Sequence, residues 1–79
     1  MADVKVTEDL WASSMLPEGL IERWLVADGA TVATGEAVVE VRIEDALHEI
    51  LAPAAGRLKI SARVNDVIDP GSALGQIAP

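Results

Sequence analysis

Apolar positions in this chain come in short runs rich in valine, isoleucine, leucine and alanine, and glycine or proline cuts the runs apart. The runs cover positions 4–6, 20–26, 37–43, 46–51, 58–62 and 73–77. Around them fall Pro17, Gly19, Gly29, Gly35, Pro53, Gly56, Pro70, Gly71 and Gly75. Few windows of about 11 residues escape these breaks, and a helix usually needs about that length. Short β-branched runs with regular turn signals predict an all-β sandwich or barrel.

The stretch VRIEDALHEI, residues 41–50, reads as a hairpin that turns at Glu44-Asp45. A two-residue turn there sets Ile43 opposite Ala46, Val41 opposite His48 and Val39 opposite Ile50. Side chains alternate along a strand, so these six share one face. All but His48 are apolar, which makes this the expected core face. The other face then holds Arg42 opposite Leu47 and Glu40 opposite Glu49. Directly opposed glutamates cost roughly a few tenths of a kcal/mol. Arg42, diagonal to Glu49 and two along from Glu40, is expected to offset that cost.

The chain also repeats itself. GLIERWLVADGATVATGEAV, from Gly19, is answered by GRLKISARVNDVIDPGSAL, from Gly56. Each copy opens on glycine, enters a strand and reaches a polar turn, Asp28-Gly29 in the first and Asn65-Asp66 in the second. Val32 stands three positions before Gly35, as Ile68 stands before Gly71. Val38 and Leu74 follow those glycines at the same distance. The first copy is longer by one residue. Neither half can bury its own apolar face. Two halves packed as facing sheets are therefore expected, giving a flattened β-sandwich with quasi-two-fold symmetry.

At 79 residues the chain reads as a single domain, 1–79. A domain this small buries about 60–65% of the surface its unfolded chain exposes, which leaves no room for a deep cleft between lobes. Cysteine is absent, so there is no disulfide, thiolate metal site or cysteine nucleophile. A net charge of −7 opposes binding to nucleic acid or anionic lipid. Trp11 and Trp24 are the only aromatic residues, so platforms for stacking bases are nearly absent. No basic-then-apolar leader is visible, and no apolar run approaches the ~20 residues of a membrane span. The expected location is cytoplasmic.

EGLIERWLV followed by DGATVATGEAVVEV, and APAAGRL followed by NDVIDPGSALGQI, resemble the two halves of the lipoyl and biotinyl attachment domains. The resemblance covers residues 4–78, with glycines, prolines and aliphatic residues agreeing in order and spacing. It implies a barrel-sandwich hybrid of two four-stranded antiparallel sheets, with a modified lysine at the tip of a hairpin. Lipoyl domains of 2-oxoacid dehydrogenase complexes read Asp-Lys-Ala at that tip. Aligned without a gap between Gly35 and Ala52-Pro53, the corresponding residues here are Glu44, Asp45 and Ala46. Asp45 falls on the lysine. Biotinyl domains usually flank their lysine with methionines, which Glu44 and Ala46 are not, so the lipoyl branch is the closer one.

The missing lysine changes the functional expectation. Lipoate is attached through an amide, and only a nucleophilic primary amine on a long, exposed stem can form it. The two lysines, Lys5 and Lys59, lie on predicted strands and read as solvated surface residues. No bound cofactor is therefore expected, although lipoate is what the resemblance implies. Glu8, Asp9, Leu10 and Trp11 fall in the segment that, by the same resemblance, helps partner enzymes recognise the domain. Trp11 is either an exposed contact or a lid over the sandwich end, while Trp24 reads as core or semi-core. Ser13 and Ser14 have no acid–base partner and read as loop residues. His48 is the only histidine; it reads as partly buried and hydrogen-bonded rather than as a metal ligand.

The leading expectation is an unmodified lipoyl-like module for protein interaction or regulation, docking on a 2-oxoacid dehydrogenase component or a related acyl-transfer enzyme. The alternative is a genuine swinging-arm carrier, modified at another lysine such as Lys59 or represented here by a lysine-substituted variant. No pair of catalytic groups supports an independent enzyme.

Overall fold

A computed structural model describes residues 2–11 and 18–79 of the chain. Among these, eight strands form: β1 (Ala2–Lys5), β2 (Gly19–Trp24), β3 (Thr31–Val32), β4 (Ala37–Ile43), β5 (Ala46–Leu51), β6 (Gly56–Ile60), β7 (Val67–Ile68) and β8 (Ala73–Ala78). One short 3-10 helix, Glu8–Trp11, follows β1. The strands make two four-stranded antiparallel sheets. Sheet A runs β1-β8-β6-β3 and sheet B runs β5-β4-β2-β7.

The two sheets bury one apolar layer between them. Val4, Ile21, Val38, Val39, Val41, Leu58, Leu74 and Ile77 are fully buried, and no polar or charged residue is buried among the described ones. These side chains come from β1, β2, β4, β6 and β8 and follow the period-two pattern, except that adjacent Val38 and Val39 are both buried where the β4–β5 register shifts. Burying each stabilises the fold by about 1.5–3 kcal/mol relative to exposure.

The repeat in the sequence is a repeat in the hydrogen bonds. Gly29 N–H donates to the Leu58 carbonyl and Leu58 N–H to the Ala30 carbonyl; Asn65 and Ile21 make the same reciprocal pair with Ile21 and Asp66. Gly35 N–H donates to Ala52 and Ala52 N–H to Glu36, and Gly71, Val6 and Ser72 match them. Leu25 N–H reaches the Val38 carbonyl as Ser61 N–H reaches that of Leu74. This correspondence carries sheet B onto sheet A strand for strand, with β5, β4, β2 and β7 matching β1, β8, β6 and β3. It also explains the unequal copies. The β2–β4 register shifts between Ile21 and Arg23, so Glu22 is the extra residue, a bulge that β6 lacks against β8.

Strand direction sets where the β4–β5 hairpin tip lies. Leu20 pairs with Arg42 and Gly19 with Ile68, so β7 ends at the tip's end of the sandwich. β8 starts there and runs away to Ala78, next to which Ala2 pairs with Ile77. The tip and the ends of the described chain therefore lie at opposite poles of a body measuring 36 × 20 × 16 Å.

Sequence runs and strands agree except at their margins. β2 and β6 stop at Trp24 and Ile60, because the chain is already bending into turns closed by Ala30 N–H to Ala27 and Asp66 N–H to Arg63. β3 and β7, two residues each, are too short to show as apolar runs. β1 begins and ends one or two residues early, at Ala2 and Lys5.

Two glycines separate conformational freedom from close approach. A Cβ on Gly29 (φ 85°) would meet nothing, whereas a Cβ on Gly56 would fall on the Ala78 carbonyl oxygen across the β6–β8 ladder. Urea unfolding should show Gly29→Ala losing about 1–2 kcal/mol, the cost of a left-handed L-residue. Gly56→Ala should lose clearly more, because the obstructing atom is backbone and cannot move aside.

Candidate functional site

The β4–β5 hairpin has the register its sequence predicts. Ile43 pairs with Ala46, Arg42 with Leu47, Val41 with His48, Glu40 with Glu49 and Val39 with Ile50. Glu44 and Asp45 form the two-residue turn between them, and both are exposed. Val39, Val41, Ile43 and Ile50 face the core. Ala46, placed on that face by alternation, is instead exposed, because the hairpin overhangs the core at this end. His48 is half-buried, and no three His, Asp or Glu side chains among the described residues converge as a metal-holding group.

Glu44 takes a left-handed backbone, φ 56°. A two-residue hairpin turn requires positive φ at its first central position, since only the primed turns match the twist of the flanking strands. Glycine, asparagine or aspartate would adopt it more readily than glutamate. Nothing in the core holds Asp45; the ladder below fixes the direction in which it projects.

Charges beneath the tip are arranged differently from expectation. Arg42 does not compensate the Glu40–Glu49 pair. Arg23 of β2, directly opposite Glu40, takes that role at 3.2 Å. Arg42 instead donates from Nε to Oε1 of Glu22 at 3.0 Å, the bulge residue on the neighbouring strand. The bulge thus creates the acceptor that draws Arg42 away. Both pairs lie on the solvent face, where an ion pair contributes about 0–1 kcal/mol.

The segment after β1 leaves the sandwich at the same pole, since Val6 is tied to Gly71 and Ser72 at the start of β8. Trp11 does not present itself to solvent. It is 8% exposed and belongs to the core, which leaves half-buried Leu10 as the described side chain of the candidate recognition segment nearer the surface. The side chains of Glu8 and Asp9, and Ser13 and Ser14 altogether, lie outside the described residues. Trp24 is semi-core, its Nε1 donating to the Ala62 carbonyl at 2.9 Å. Lys5 ends β1 with Nζ 3.9 Å from Asp3, and Lys59 lies inside β6 opposite Gln76; neither stands in a hairpin turn.

Residues 12–77 match the family model Biotin_lipoyl, described as "Biotin-requiring enzyme". The chain belongs to this family. Its members are small carrier domains, not catalysts in themselves, and normally carry lipoate or biotin. Among solved structures, the lipoyl domain of the 2-oxoglutarate dehydrogenase complex from Azotobacter vinelandii superposes with a TM-score of 0.78 at 22% identity, over 100% of this chain and 98% of that one. It is a lipoyl-type fold. No curated protein matches the chain.

Left-handed glutamate at the turn gives a stability test. Glu44→Gly removes a strain of about 1–2 kcal/mol and adds back about 0.5–1 kcal/mol of backbone entropy. Chemical unfolding should therefore show a net gain of roughly 0.5–1 kcal/mol, while Asp45→Ala, at an exposed and unconstrained position, stays within about ±0.5 kcal/mol.

Proposed function

We propose that this domain works without a carried acyl group, as a protein-interaction or regulatory module of a 2-oxoacid dehydrogenase complex or a related acyl-transfer assembly. The observation that carries the reading is the tip itself. An otherwise complete attachment scaffold ends in Glu44 and Asp45, two carboxylates, with no amine at the turn.

Lipoate and biotin are held on such domains by an amide to a primary amine. A carboxylate cannot form that bond, so the residues of this tip do not fit the group the family carries. The gap-free count from Gly35 to Ala52-Pro53 supports Asp45 as the occupant of the attachment place. The hairpin register supports the same position. Lys5 and Lys59 sit within strands of the other sheet, where an amine lacks the projecting turn that would offer it to a ligase. The partner class we assign, protein components of the complex, rests on the family and on the likeness to a 2-oxoglutarate dehydrogenase lipoyl domain.

The experiment installs what is missing. With a lipoate ligase and excess lipoate, the native chain should keep its unmodified mass. Asp45→Lys should gain one lipoyl group, mapped by peptide analysis to position 45, and Asp45→Ala should gain none. Modification of the native chain at Lys59 overturns the proposal. A folded Asp45→Lys that stays unmodified, under conditions that fully modify a genuine lipoyl domain, overturns the assignment of Asp45 to the attachment place.

A further inference from the structure

The quasi-two-fold axis supplies an internal control on the surface. Apart from the bulge residue Glu22 and the hairpin tip, outward positions of sheet B correspond to places on sheet A in the same structural environment, so a residue type that the fold itself demands should occur on both. The large apolar residues exposed among the described ones are Leu20, Leu47, Leu51, Val64 and Val67. Four of them lie on strands of sheet B, and Val64 lies in the turn leading into β7. Three of the four that lie on strands have described counterparts on sheet A, and these are polar. Leu20 corresponds to Arg57, Val67 to Thr31 and Leu51 to Lys5. The scaffold therefore accepts polar or charged residues at the places of Leu20, Leu51 and Val67, and the apolar residues that stand there in sheet B answer to something outside the fold.

Three of them line up. Across sheet B, Leu47 pairs with Arg42, Arg42 with Leu20 and Leu20 with Val67. They form one transverse row over all four strands, two residues below the tip. Leu20 is 39% exposed, Leu47 50% and Val67 59%. Arg42, the cation in the row, is held by Glu22, so the row presents aliphatic side chains around a neutralised guanidinium. An apolar group concentrated on one face and rimmed by charge is the usual mark of an interaction surface.

The rim specifies the occupant. On the outer face of sheet B, Glu22, Glu40 and Glu49 outnumber Arg23 and Arg42, and Glu44 and Asp45 add two more carboxylates at the tip. Sheet A's outer face has the opposite sign, with Lys5, Arg57 and Lys59 against Asp3. We infer that the outer face of sheet B, centred on Leu20, Leu47 and Val67 and continuous with the tip, is the docking surface of this domain. Its partner is a protein surface with an apolar centre and a lysine- or arginine-rich rim. The inference rests on the module reading above and adds which face binds and what chemistry it meets.

The test uses the substitutions that symmetry suggests. Leu20→Arg and Val67→Thr install on sheet B what sheet A already carries, so the double variant should keep its thermal midpoint and its dispersed amide spectrum. The 15N-labelled domain is titrated with each separately purified component of the 2-oxoacid dehydrogenase complexes and related acyl-transfer assemblies of the same organism. At least one should perturb the amides of Leu20, Arg42, Leu47 and Val67, with an affinity that falls as salt rises. The double variant should bind it about tenfold or more weakly, as removal of central apolar anchors does. Binding that perturbs other residues and is unchanged in the variant overturns this surface and leaves the module reading standing. Failure of every component to bind overturns both. Sedimentation showing self-association that the double variant abolishes assigns the face to a second copy of the chain, which also overturns the partner named here.

Discussion

The apolar layer shared by the two sheets is the interaction on which the rest of the domain depends. Ile21, Val38, Val39 and Val41 from sheet B meet Val4, Leu58, Leu74 and Ile77 from sheet A, all fully buried. Each sheet depends on the other, because the apolar face of each is taken out of water only by the opposite sheet. Within sheet A, β6 and β8 also come into close backbone contact at their ladder ends. Gly56 beside Ala78 and Gly75 beside Lys59 mark where no side chain fits.

From this layer follows a division of labour. Every residue that fixes the hairpin faces inward or lies in the ladder; the two that top it, Glu44 and Asp45, are exposed. The side chain at position 45 is thus only weakly coupled to the stability of the scaffold. With aspartate there the domain remains a well-formed member of its family. The same weak coupling holds on the outer faces, where one sheet carries arginine, threonine and lysine and the other leucine and valine at matching places. The scaffold tolerates either, so what stands there is free to serve recognition.

The sequence disclosed the architecture because two independent periodicities agreed. Alternation across 39–50 fixed the hairpin register, and the repeat from Gly19 and Gly56 fixed the symmetry. What it concealed depended on neighbours in space. The extra residue of the first copy was visible as a difference in length, but only strand pairing identifies it as Glu22. Without that bulge, Arg42 was the natural partner for Glu40; with it, Glu22 captures Arg42 and Arg23 takes over. Trp11 gave no periodic signal, since it lies in a single 3-10 turn. Its burial could not be told from its exposure by composition. The apolar row likewise joins residues from β5, β2 and β7, far apart in sequence, and exists only once the order β5-β4-β2-β7 is known.

The central claim is that an attachment-family domain can keep its scaffold while carrying nothing at its tip. The most direct measurement is the intact mass of the protein isolated from the cells that naturally make it, followed by peptide mapping across residues 1–79. The account predicts the mass of the bare polypeptide, with Lys5 and Lys59 both unmodified. A stoichiometric lipoyl or biotinyl adduct on either lysine would contradict it.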